Sequence, residues 1–111
     1  ACPFGERVRK VLIDLLPSGT VSVEAVCARL GTSKRSLQRK LKDEGVNFQR
    51  VLDETRESLA LTYLRDQNLS AEEVSYLLAY RDPNSFYRAF HDWTGMTPAQ
   101  ARVSAQVPAA S

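Results

Sequence analysis

Ten side chains in two short stretches of this chain have types and spacings suited to reading nucleic-acid bases. In SKRSLQRKLK, Ser33 to Lys42, helical spacing at about 100° per residue places Leu37 and Leu41 on one side. Arg35, Gln38, Arg39 and Lys42, at i, i+3, i+4 and i+7, fall on the other, with Ser36 beside them. Arginine pairs bidentately with guanine O6/N7 and glutamine with adenine N6/N7, so this face has the chemistry of a major-groove reader. Taken alone the signal is weak, because basic amphipathic helices are commonly just solvated.

The pattern returns in DPNSFYRAFHD, Asp82 to Asp92. Superposing Leu37 and Leu41 on Phe86 and Phe90 sets Arg35 on Asn84, Ser36 on Ser85, Gln38 on Tyr87, Arg39 on Arg88 and Lys42 on His91. Upstream, Ser22, Val23, Val26, Leu30 and Gly31 match Ser70, Ala71, Val74, Leu78 and Ala79 at an offset of 48. Apolar positions repeat, while polar positions keep their type without keeping their identity. Two helix-turn-helix units that read different base sequences require such a duplication.

The elements that position these faces are legible from caps and breakers. Val8, Val11, Leu12, Leu15 and Leu16 outline a first helix, stopped by Pro17, Ser18 and Gly19. A Ser22 cap opens the second helix, which runs to about Leu30, and Gly31 makes the turn. Ser33 caps the third and Gly45 closes it. Phe48 to Arg65 contains neither Gly nor Pro and reads as one long helix. Ser70 and Glu73 form a capping box, Asp82 with Pro83 an N-cap with proline at N1, and Trp93 with Gly95 an ending. Thr97 and Pro98 open a final helix, expected to end near Val103. The expected class is all-α: about seven helices, with a first helix-turn-helix at 22–44, a linker helix at 48–65 and a second helix-turn-helix at 70–93. Together they make one DNA-binding domain over 1–103, and 104–111 reads as a disordered tail.

Composition narrows the alternatives. The 111 residues, 43% hydrophobic and 25% charged, suit a soluble globular domain. No apolar run approaches the roughly 18 residues that a membrane span needs, so a cytoplasmic protein without a membrane partner is expected. The chain opens on Ala1 and its one methionine is Met96, so either a processed chain or, in preference, a piece of a longer protein is expected. A net charge of +2 is unevenly spread. Residues 33–50 hold six basic and two acidic side chains, whereas 51–80 hold two basic and six acidic. The basic segment steers toward phosphate. The acidic one is ordinarily solvated, although contact with RNA polymerase is open to it.

Cys2, Cys27 and the single His91 do not make a metal set, and Cys27 reads as a buried thiol. No cofactor is expected. Without a phosphate loop or paired catalytic carboxylates, an enzyme is not expected either. A helical protein-interaction module is the alternative to DNA binding.

The run Leu78-Ala79-Tyr80-Arg81-Asp82-Pro83-Asn84-Ser85-Phe86-Tyr87-Arg88-Ala89-Phe90, followed by Trp93-Thr94-Gly95-Met96-Thr97-Pro98 and Arg102, resembles the signature of the AraC/XylS family of bacterial transcriptional regulators. Ser33, Arg35, Leu37, Gln38, Arg39, Leu41 and Gly45 are similar to that family's first recognition helix, and Arg56, Ala60 and Leu64 to its linker helix. The resemblance covers about residues 5–103. It implies a seven-helix, two-lobed domain that inserts its third and sixth helices into neighbouring major-groove segments of double-stranded DNA. It also implies a parent protein with a separate N-terminal effector-binding or dimerisation domain. Carried over by position, the implied DNA contacts are Arg35, Ser36, Gln38, Arg39 and Lys42, then Asn84, Ser85, Tyr87, Arg88 and His91. For Tyr87 either a DNA contact or a core role remains open, and for His91 either phosphate or solvent. Ser36 and Ser85 are candidates for backbone contacts. Ala79-Tyr80, Ser75, Cys27 and Ala101 depart from the family's usual Gly-Phe, Ala, Ala and aromatic residues.

Overall fold

A computed structural model describes residues 3–106, which form helices and turns without a strand. The order is α1 (Phe4–Leu15), a 3-10 turn at Leu16–Ser18, α2 (Val23–Leu30), α3 (Lys34–Asp43), α4 (Phe48–Arg65), α5 (Ala71–Leu77), α6 (Pro83–Thr94) and α7 (Pro98–Gln106). The all-α class with seven helices is therefore the one observed among the described residues. None of these helices is long and apolar enough to cross a membrane. The chain divides into two compact units, Ala1–Arg56 and Glu57–Ser111, and the division falls within α4.

In the first unit α1 packs on α2 and α3. Val8, Leu12, Leu16, Val26, Leu37 and Leu41 are wholly buried. Burying each such side chain contributes about 1.5–3 kcal/mol before chain entropy is charged against it. Pro17 ends α1 by tightening its last turn into the 3-10 segment, and Gly19 at φ +75° turns the chain away. Cys27 is a free, buried thiol, as its place on the apolar stripe of α2 suggested. Cys2 lies outside the described residues.

The second unit packs α5 on α6 and α6 on α7. Its core is built from Leu64, Val74, Leu78, Phe86, Phe90 and Ala101, all without exposed surface. Aromatic rings supply volume where the first unit uses leucine. Phe86 lies 5.6 Å from Phe90 and 5.9 Å from Tyr80, which in turn lies 6.5 Å from Trp93, all in tilted arrangements.

The duplication persists at the level of single hydrogen bonds. Ser22 Oγ accepts from Ala25 N at 3.0 Å and Ser70 Oγ from Glu73 N at 3.2 Å; Glu73 reciprocates to complete the capping box. Ser33 Oγ accepts from Ser36 N at 3.1 Å, and Asp82 Oδ1 from Ser85 N at 2.9 Å. Both inter-helix turns pass through the left-handed region, at Gly31 (φ +65°) and Ala79 (φ +64°). The next residue closes each by the same bond, Thr32 N to Cys27 O at 3.1 Å and Tyr80 N to Ser75 O at 3.0 Å. Ser75 is fully buried, and its hydroxyl is satisfied by donating to Glu72 O at 2.7 Å.

The last helix continues past the expected end at Val103, through Gln106. Residues 104–106 contain no breaker, and alanine and glutamine are good helix formers. Gln100 and Thr97 cap its start reciprocally, at 2.9 and 3.2 Å. The rest of the expected tail, 107–111, lies outside the described residues.

Candidate nucleic-acid interface

Leu37 and Leu41 fix which side of α3 faces the core, and Phe86 and Phe90 do the same for α6. The polar side of each helix is thereby turned outward. Arg35, Gln38, Arg39 and Lys42 are exposed on α3, with Ser36 half-buried beside them; Asn84, Ser85, Tyr87, Arg88 and His91 are exposed on α6. Each unit thus gathers its own five candidates on one helix face.

Among the described residues the four cations Arg35, Arg39, Lys42 and Arg88 are not held in ion pairs, whereas some other basic side chains are. Arg29 pairs with Asp14 at 3.2 Å and Arg50 with Glu54 at 3.1 Å. An unpaired cation offers all its donors to a ligand without first breaking an ion pair.

The remaining candidates differ in how much chemistry is left to them. The Ser85 hydroxyl lies 3.3 Å from Asp82 Oδ2 and donates there, so toward an incoming ligand it offers mainly its lone pairs. Tyr87 sits between its two alternatives. Its ring stands 6.1 Å from Phe86, yet 37% of the residue is exposed. It also borders a small hollow with Ala71, Thr97, Pro98 and Ala99.

A family model described as a helix-turn-helix domain matches residues 26–104 of this chain. An ornithine utilization regulator of Pseudomonas aeruginosa is 41% identical over 96 residues, which cover 86% of this chain and 28% of that protein. Among solved structures, a DNA-binding transcriptional dual regulator from Escherichia coli K-12 shares the fold with a TM-score of 0.86 at 22% identity, over 97% of this chain and 96% of that one. The DNA-binding domain of AdpA, a global transcriptional factor solved in complex with a target DNA, gives a TM-score of 0.77 at 26% identity, over 98% and 99%. This chain belongs to the AraC/XylS family of transcriptional regulators. It spans only 28% of the length of the ornithine utilization regulator it matches.

Within this AraC/XylS-type domain, two features of the first unit escaped the sequence reading. One is an open groove of about 760 Å³ that continues from Gln38 and Lys42 onto Asn47, Gln49 and Arg50. Asn47 Oδ1 caps α4 by accepting from Arg50 N at 2.8 Å. An asparagine just ahead of an apolar helical period is the signal that could have found this cap. Only the fold, however, brings the start of α4 beside the exposed face of α3. The other is Glu44, which reaches the first turn of α1. Among the described residues, no group of three or more His, Cys, Asp or Glu is placed to hold a metal ion.

Proposed function

We propose that this domain binds double-stranded DNA sequence-specifically to regulate transcription, with α3 and α6 reading adjacent major-groove segments. The observation that carries the reading is the pair of exposed, donor-rich faces at equivalent phase, each with an unpaired arginine at the same position, Arg39 and Arg88. Helices of this width fit the major groove, and arginine is the commonest reader of guanine there. The family membership and the AdpA domain's target-DNA complex support the same reading.

Arg35, Gln38, Arg39, Asn84 and Arg88 are the base-reading candidates by side-chain type. Lys42 and His91, one turn further along, suit phosphate. Ser36 and Ser85 suit sugar-phosphate contact, and Tyr87 a sugar edge or a thymine methyl. The parent chain we infer is a cytoplasmic regulator with an effector-binding or dimerisation domain elsewhere, and the acidic residues of 51–80 are its candidate surface for RNA polymerase.

Salt titration of binding to a selected duplex tests the proposal. About five or six phosphate contacts give a log-log slope of about −4 to −6. Binding that does not change between low and physiological salt would refute it.

A further inference from the structure

The N-terminus of α1 is capped from a distance. The side chains of Ser22, Ser33, Ser70 and Asp82 cap their own helices, whereas Pro3 supplies no such bond to α1. Its first free amides donate instead to Glu44, the C-cap residue of α3: Phe4 N to Oε2 at 2.6 Å and Gly5 N to Oε1 at 2.8 Å. One turn earlier on α3, the Lys40 ammonium stands 5.1 Å from the centre of the Phe4 ring. At about 100° per residue, Lys40 falls nearest to Leu37, on the flank of α3 away from Arg35 and Lys42. Two contacts therefore tie the C-terminal half of α3 to the first turn of α1.

A carboxylate at the C-terminal end of α3 opposes that helix's own dipole and reduces the positive charge nearby. Against the N-terminus of α1 it is favourable. The wholly buried residues of α3 are Leu37 and Leu41 alone, so the core holds this helix along a narrow stripe. The geometry points to Glu44 as a positioning residue: with Lys40 and Phe4 it fixes the roll of α3 and so the aim of its base-reading candidate Arg39. This inference rests on the proposal that α3 reads DNA.

Its test uses the sign of an effect. By electrostatics alone, removing a carboxylate beside a phosphate-binding face strengthens binding to every duplex. If Glu44 positions α3, Glu44→Ala lowers affinity for the selected duplex by about tenfold, the loss expected when one bidentate base contact is misaligned. Affinity for a random duplex does not fall, and the lost preference is confined to the base pairs read by α3. Glu44→Gln keeps an acceptor oxygen and recovers part of the preference. Phe4→Leu changes no charge, and it lowers preference at the same base pairs by about twofold to threefold, as a weaker contact should. Circular dichroism melting identifies the temperature at which every variant is folded. An unchanged ratio of selected to random affinity in Glu44→Ala and Phe4→Leu would overturn the positioning role while leaving DNA binding intact. A wild-type chain that shows no duplex preference would overturn both.

Discussion

Arg39 and Arg88 occupy the same place in the two units, and their different neighbours give them different work. Arg39 lies among Arg35, Gln38 and Lys42, a face rich in guanine and adenine readers; Arg88 lies among Asn84, Tyr87 and His91, which is less cationic. Replacing either by alanine should relax base preference by about 1–3 kcal/mol, each in its own half of the site. Lys42→Ala should instead weaken all duplexes alike and lower the salt slope by about one. Base-by-base competition measurements on the three variants separate these outcomes. Should Arg88→Ala leave every base preference intact, the second unit would hold phosphate without reading sequence.

The helices themselves follow from local grammar, and so most of the fold was legible. Ser22, Ser33, Ser70 and Asp82 were recognisable as caps because each precedes an apolar helical period, and each makes its bond. The outward face of α3 was legible for the same reason, since Leu37 and Leu41 set its phase. What could not be read was any contact made by residues distant in sequence. Glu44 on the amides of Phe4 and Gly5, about forty residues away, has no periodic signal. Ala79 holds φ +64°, where glycine pays no steric penalty and alanine pays about 1–2 kcal/mol; glycine returns part of that through the greater freedom of its unfolded chain. Ala79→Gly should therefore stabilise the domain by about 0.5–1 kcal/mol, and Gly31→Ala should destabilise it by a similar amount. Urea unfolding of the two variants checks the opposite signs. Matching signs would show that the two turns are not equivalent.

Placing both reading helices in one chain constrains the DNA more than either helix does alone. Most helix-turn-helix proteins reach two major-groove segments by dimerising, so their sites are palindromic, with centres about 34 Å or 10 to 10.5 base pairs apart. Here one face carries Arg35, Gln38 and Arg39 and the other Asn84, Tyr87 and Arg88, so the same two-segment reading calls for an asymmetric site. The helices are joined through α4, which is continuous over 18 residues and contains no glycine or proline hinge. An 18-residue linker sets a limit on how far a second half-site can be displaced and still be reached by the same chain. One domain should therefore protect one non-palindromic site with two major-groove segments about one helical turn apart. Inserting five base pairs between the segments turns one of them to the opposite side and should abolish bipartite binding, leaving only the weak affinity of a single unit. Inserting about ten restores the facing but doubles the separation, and should not rescue it. Footprinting with a measured stoichiometry decides the matter: undiminished affinity after the five-pair insertion, or two domains on the minimal site, would mean that the units do not read one site together.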